Sequence, residues 1–303
     1  MSYIYSNYYD ESKHESCEEK WKIYTNDYNR HKCKVTIKCP PGSTDPTGST
    51  QTSNTYIVNL GDGTVSVING LTNTVVATIP VGNDPIGISV NPSTNLIYVA
   101  NKVDNTVSII DGTTNTTIST ISVGNNPTGI SVNPNTNLIY VVNSSDDTVS
   151  AIDGTTNTII ATIPVGNLPR VSAVNPNTNL IYITNISDRT VSVINGTNNS
   201  VIATVPVGGG PKSLAVNPNT NLIYVPNTSD NTVSVINGNT NSIIVTISVG
   251  NNPIATAIDL NKNLIYIANA FDKTISVIDG ITNDVIKTIP VGTTPHRDGV
   301  LNL

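Results

Sequence analysis

"NLIYVANKVDNTVSIIDG", residues 95–112, decides the fold because it returns. Residues 137–154 read "NLIYVVNSSDDTVSAIDG" and residues 179–196 read "NLIYITNISDRTVSVING". Tyr56, Tyr98, Tyr140, Tyr182, Tyr224 and Tyr266 stand 42 residues apart with no insertion or deletion, and so do Gly70, Gly112, Gly154, Gly196, Gly238 and Gly280. A period of about 40–45 residues holding four short β runs marks a propeller blade. In the second unit "PIGISVNP" reads as strand A, "NLIYVAN" as B, "NTVSIIDG" as C and "TTISTISVG" as D. Both faces of these runs are apolar, as expected where blades stack and each strand is covered on two sides.

The turns carry their own signals. "NPSTN" and "NPNTN" join A to B, and "DG" or "NG" after strand C predicts a residue with positive φ closing the C–D hairpin. Strand D ends in "IPVG" or "ISVG", and proline there suits an outer edge strand. The first unit starts at strand B, near Asn54. The chain's last stretch, "TTPHRDGVLNL", aligns with "NNPTGISVNPN". The expectation is an all-β, six-bladed β-propeller over residues 54–303, with the C-terminal strand supplying the missing strand A of the first blade and removing a free sheet edge. Whether residues 33–38, "CKVTIK", add to the ring stays open.

Composition narrows the function classes. Charged residues make up 12 % and aromatics 5 %, and the palette is rich in Asn, Thr, Ser, Val and Ile. The net charge of −6 is unevenly placed: residues 1–53 carry seven Lys/Arg against seven Asp/Glu, residues 54–303 eight against fourteen, all Asp. An acidic body of this kind argues against nucleic-acid partners, whose phosphates call for Lys and Arg. No run of 18 apolar residues exists, so no membrane span is expected. "MSYIYSNYYDESKHESCEEKWK" lacks an apolar stretch behind a basic start, so the reading expects either a cytoplasmic protein or one that reaches a surface by another route.

"NLIYVAN…NTVSIIDGTTN…TISTISVGNNPTGISVNP" resembles the YVTN β-propeller repeat family of archaeal surface-layer and bacterial secreted or periplasmic proteins, over residues 54–303. The resemblance implies a surface-displayed propeller. Many relatives have seven blades, so six is a departure.

Residues 1–39 differ from the ring. With the linker at residues 40–53, "PPGSTDPTGSTQTS", they hold all three Cys, all four Glu, the single Trp and six of the twelve Tyr. Cys17, Cys33 and Cys39 are cross-linking candidates for anchoring the chain to other surface-layer or coat proteins, a spore coat included. With His14 and His31 they also offer zinc-ligand types, without the paired C-x-x-C spacing of a zinc knuckle.

In the ring, each B–C loop carries one Asp in register: Asp62, Asp104, Asp146, Asp188, Asp230 and Asp272. Six carboxylates on one rim could hold a cation, but an Asp at a fixed loop position more commonly accepts from its own backbone in an Asx-turn. The Asn ending each strand B is read as structural in the same way. Departures from the repeat are more informative. After the proline that opens strand A stand Arg170, Lys212, and His296 with Arg297; Phe271 and Lys273 lie in the last B–C loop. Together they predict a ligand or partner rim at the channel mouth for a small anionic molecule or a carboxylate-bearing partner. Enzyme readings lack parts. His296 is the one His in the ring, no Cys or Glu lies there, and a propeller lactonase would want a Glu ligand. No cofactor is expected, and the quinone enzymes of similar shape build their cofactor from tryptophan, absent from the ring.

Overall fold

The computed structural model describes residues 54–293 and Pro295, and across them the chain forms 23 β-strands and no helix. The first sheet holds β1 (Asn54–Asn59), β2 (Thr64–Asn69) and β3 (Thr74–Pro80). Four-stranded sheets follow, each in sequence order. The second holds β4 (Pro85–Asn91), β5 (Leu96–Asn101), β6 (Thr106–Asp111) and β7 (Thr116–Ser122). The third holds β8 (Pro127–Asn133), β9 (Leu138–Asn143), β10 (Thr148–Asp153) and β11 (Thr158–Pro164). The fourth holds β12 (Pro169–Asn175), β13 (Leu180–Asn185), β14 (Thr190–Asn195) and β15 (Ser200–Pro206). The fifth is β16 (Ala215–Asn217), β17 (Leu222–Asn227), β18 (Thr232–Asn237) and β19 (Ser242–Ser248). The sixth is β20 (Pro253–Asp259), β21 (Leu264–Asn269), β22 (Thr274–Asp279) and β23 (Val285–Pro290). These are the expected blades, all antiparallel. The first has three strands among the described residues, and the segment expected to complete it, residues 296–303, lies outside them, as do residues 1–53 with the linker and "CKVTIK".

Why these sequences stack as blades follows from their two apolar faces. In β5, Tyr98 and Ala100 pack with Val107 and Ile109 against Ile130, Val132, Ile139 and Val141 of the next sheet, while Ile97 and Val99 turn the other way to join the first sheet's Tyr56, Val65 and Val67. Each joint between consecutive sheets repeats this arrangement. A fully buried Val or Ile contributes about 1.5–3 kcal/mol relative to exposure, so the joints carry most of the stability. Strands C and D share a β-bulge at one register, for example between Ala151 and Ile152, which sharpens the twist of each blade. Strand D lies outermost and largely exposed, and Pro80, Pro164, Pro206 and Pro290 end it where no further ladder partner is needed.

The two end sheets are less covered than the joints between. Ile57 and Ile68 of the first sheet are half-buried, whereas Val99 and Ile110 at the same places in the second are at 0 % exposure. Tyr266 and Ile275 of the sixth sheet are half-buried too, against 0 % for Tyr224 and Val233.

The fifth sheet breaks the pattern. Other described inner strands run seven residues, but β16 has three, preceded by an isolated bridge between Pro211 and Asn227. Lys212 to Leu214 are left out of the ladder at the inner edge.

Candidate functional site

The polar stop of each "NLIYxxN" strand is a clamp. Asn101 Nδ2 donates to Thr106 Oγ1 at 3.0 Å and Ser108 Oγ at 2.9 Å, and its Oδ1 accepts from Gly82 N at 3.1 Å. Asn59, Asn143, Asn185, Asn227 and Asn269 hold the matching Thr and Ser hydroxyls in the same way. Asn is needed because one carboxamide must donate to two hydroxyls of strand C, which an aspartate cannot do.

Five of the six B–C loop carboxylates, all but Asp62, are structural, though not as Asx-turns. Asp104 Oδ2 accepts from Asn83 N at 2.7 Å and Oδ1 from Asn83 Nδ2 at 3.0 Å, clasping the D–A loop that enters its own blade. Asp146 with Asn125, Asp188 with Asn167 and Asp272 with Asn251 repeat it. The backbone N–H and then the side-chain amide hold Asp104, Asp146 and Asp272 below the usual carboxylate range; for Asp188 the side chain is the larger influence. With both oxygens engaged, these carboxylates clasp loops instead of converging on a cation. Among the described residues no three His, Cys, Asp or Glu side chains come together.

Neighbouring blades are tied by a second set of amides. Asn91 Nδ2 donates to Asn137 Oδ1 at 2.7 Å, Asn133 to Asn179 at 2.7 Å, Asn175 to Asn221 at 2.7 Å and Asn217 to Asn263 at 2.8 Å. This ladder explains the glycine after strand C, whose expected positive φ is not found. Asn115 and Asn157, later in those turns, take φ 54° and 56° instead. A Cβ on Gly154 would lie 2.5 Å from Asn137 Oδ1 and 2.8 Å from Asn137 O, so glycine is there to admit the ladder. The repeated tyrosines complete each joint. Tyr140 and Tyr224 donate to Asn199 and Asn283 of the next blade at 3.1 Å, and burial pushes Tyr98, Tyr140, Tyr182 and Tyr224 up to about 12.

The rim residues expected from the sequence are partly brought together. Lys212 and Phe271 line one pocket of about 530 Å³ with Thr228, Ser229, Asn231, Asn251 and Asn252. Lys273 shares the exposed loop of Phe271 and takes φ 57°, but is not in the lining. Arg170 sits on β12, half-buried, where its carbonyl accepts from Thr128 Oγ1 at 2.9 Å, and it too is outside the pocket. His296, Arg297, Cys17, Cys33 and Cys39 lie outside the described residues.

The pocket opens where the repeat fails. In the fifth unit "GGGPK" stands where the third has "GNNPT". Gly209 leaves Asp230 with a backbone donor at 2.6 Å and no side-chain amide. Gly210 takes φ 69° beside Ser229. Thr228 Oγ1 donates to Pro253 O at 2.9 Å, tying the pocket floor to the sixth blade. The sequence signal for the polar lining is the double loss of Asn in "GGG".

Comparisons agree with the architecture. The chain superposes on a chain of Kuenenia stuttgartiensis hydrazine synthase, a β-propeller-containing structure, with a TM-score of 0.70 over 83 % of this chain and 86 % of that one, at 18 % identity, a likeness of fold. A PE-PGRS family protein, PE_PGRS18 of Mycobacterium tuberculosis, is 51 % identical over 43 residues, 14 % of this chain. The chain matches 9 % of that relative's length, about one blade. No family model matches the sequence.

Proposed function

We propose that the chain is a non-enzymatic binding and display head: a YVTN-type six-bladed propeller, tethered through residues 1–39 to a cell-surface or spore-surface layer. One observation carries it. From the second blade to the sixth, the Asn and Asp side chains of the repeat are used inside the molecule, as clamp, clasp and ladder, whereas two departures from the repeat, Lys212 and Phe271, meet at one rim pocket. A rigid ring with one altered sector is what a binding scaffold requires, since variable loops on a fixed frame set specificity. In this reading residues 296–303 fill the inner place of the first blade, and the half-buried Ile57, Ile68, Tyr266 and Ile275 meet in the closing joint. Cys17, Cys33 and Cys39 then bond to neighbouring coat or surface-layer proteins.

Fractionation tests it. Non-reducing gels of spore, envelope and cytosolic fractions should show a reductant-sensitive ladder in a surface fraction, lost when Cys17, Cys33 and Cys39 are changed together to Ser. A monomer confined to the cytosol contradicts the tether. That outcome favours the second reading, a soluble sensor or enzyme taking an anionic small molecule at the mouth through Arg170, Lys212, His296 and Arg297. The exposed Lys212 in the pocket is the observation behind it.

A further inference from the structure

At one place in the rim, a hydrogen-bonded pair found elsewhere has been split between two blades. In the third blade Asn126 Nδ2 donates to Ser145 Oγ at 3.1 Å, linking the D–A loop to the B–C loop. In the fifth blade the Asn is replaced by Gly210, so the Ser229 hydroxyl has no side-chain partner. In the sixth the Ser is replaced by Phe271, so the Asn252 carboxamide has none. These two released groups line the same pocket. Lys212 joins them from the unpaired stretch before β16 and makes no ion pair among the described residues, unlike Lys102, which meets Asp84 at 3.6 Å on the second blade's rim. Phe271 is 75 % exposed and presents a bare ring to the same space.

We propose that this pocket, between the fifth and sixth blades, binds an acidic saccharide: a sugar unit carrying a carboxylate. The inference rests on the reading of the ring as a binding head and names its ligand. A pyranose has one face of C–H groups and a rim of hydroxyls that both donate and accept. The C–H face packs on an aromatic ring, whose face carries negative charge density. The hydroxyls pair with groups of the same dual character, here the Ser229 hydroxyl and the Asn252 carboxamide. An apolar metabolite would leave those groups unpaired at a cost, and pockets for such ligands are mainly hydrophobic. The carboxylate pairs with Lys212.

The repeat itself supplies the test variants. Gly210→Asn and Phe271→Ser restore residues that the third blade carries at these places, and Lys212→Thr installs the counterpart of Thr128; each therefore folds in a known local setting. Binding of a glucuronic-acid-containing tetrasaccharide and of its carboxyl-reduced neutral counterpart would be measured by titration calorimetry with the full chain. The expected result is saturable binding of the acidic form, at least tenfold weaker for the neutral one. Phe271→Ser and Gly210→Asn should each weaken it at least tenfold, and Lys212→Thr should erase the preference for the acid. Absence of saturable binding, equal binding of both saccharides, or binding unchanged in Phe271→Ser and Gly210→Asn would overturn the proposal. None of these outcomes depends on where the protein resides, so the tether can fail without the site failing.

Discussion

The third and fifth blades share one frame and differ at one corner. Both have the buried tyrosine, Tyr140 and Tyr224, and both have the clamp, Asn143 and Asn227, with bonds of 2.8–3.1 Å to Thr and Ser. Yet the third has a seven-residue inner strand and a two-point aspartate clasp, while the fifth has a three-residue inner strand and a one-point clasp. What this teaches is that the frame does not need the full inner corner: tyrosine packing, clamp and ladder hold a blade in place even when strand A pairs only through the Pro211 bridge and Ala215–Asn217. The corner is thus open to other use.

The largest effect should come from the shared frame. Tyr98, Tyr140, Tyr182 and Tyr224 are pushed up to about 12 by burial, so their neutral form belongs to the folded blades. Their contribution is complete below the ordinary value of 10.0 and is lost as pH rises from there toward 12. Circular dichroism against pH should show cooperative loss of the blades between these values, together with tyrosinate absorbance at 295 nm; tyrosinate appearing near pH 10 in intact blades would break the comparison.

Next in size is the clamp. Asn143→Ala strands the buried Ser150 hydroxyl and the half-buried Thr148 hydroxyl and should cost about 1–3 kcal/mol in denaturant unfolding. Asn227→Ala should cost the same within about 0.5 kcal/mol, because the clamp is equal in both blades. A much smaller cost at Asn227 would mean the fifth blade is loose throughout and not only at its corner.

The clasp should act locally. Asp146→Asn removes the charged acceptor for Asn125 N and should speed exchange of that amide while leaving the melting temperature nearly unchanged; Asp230→Asn should do the same for Gly209. Since hydrogen bonds hold Asp104, Asp146, Asp188 and Asp272 below their ordinary value of 3.8, the clasp's contribution is present above that pH and lost as pH falls below it. Acid should therefore free the D–A loops before the blades. The smallest effect belongs to Gly210→Asn: Asn also adopts this positive φ, but its Cβ would stand 2.9 Å from Ser229 Oγ, so stability should change by no more than about 0.5 kcal/mol.

The frame was legible because its physics is periodic. A 42-residue register with two apolar faces per strand allows little besides stacked blades, and proline at the end of strand D marked the outer edge correctly. The reasons behind single residues were less legible. Gly154 reads as a hairpin residue in sequence, but its role depends on Asn137 of the same blade, which Asn91 of the preceding blade reaches across the joint. Asp104 reads as a local Asx acceptor, but its partner is 21 residues upstream. At the site, Lys212 and Phe271 stood out as departures, whereas Ser229 and Asn252 match Ser145 and Asn126 of the third blade. They gain interest only because their partners, at Gly210 and Phe271, were replaced.

Hydrogen exchange by NMR would test most directly the claim that a uniform frame carries one relaxed corner. The amide of Ile130, laddered with Val141 in the third blade, should exchange slowly, near the global unfolding limit, and that of Leu214, unpaired at the same place in the fifth, at least a hundredfold faster, while Tyr140 and Tyr224 are protected alike. Equal protection at the two inner corners, or loss of protection at Tyr224 as well, would contradict it.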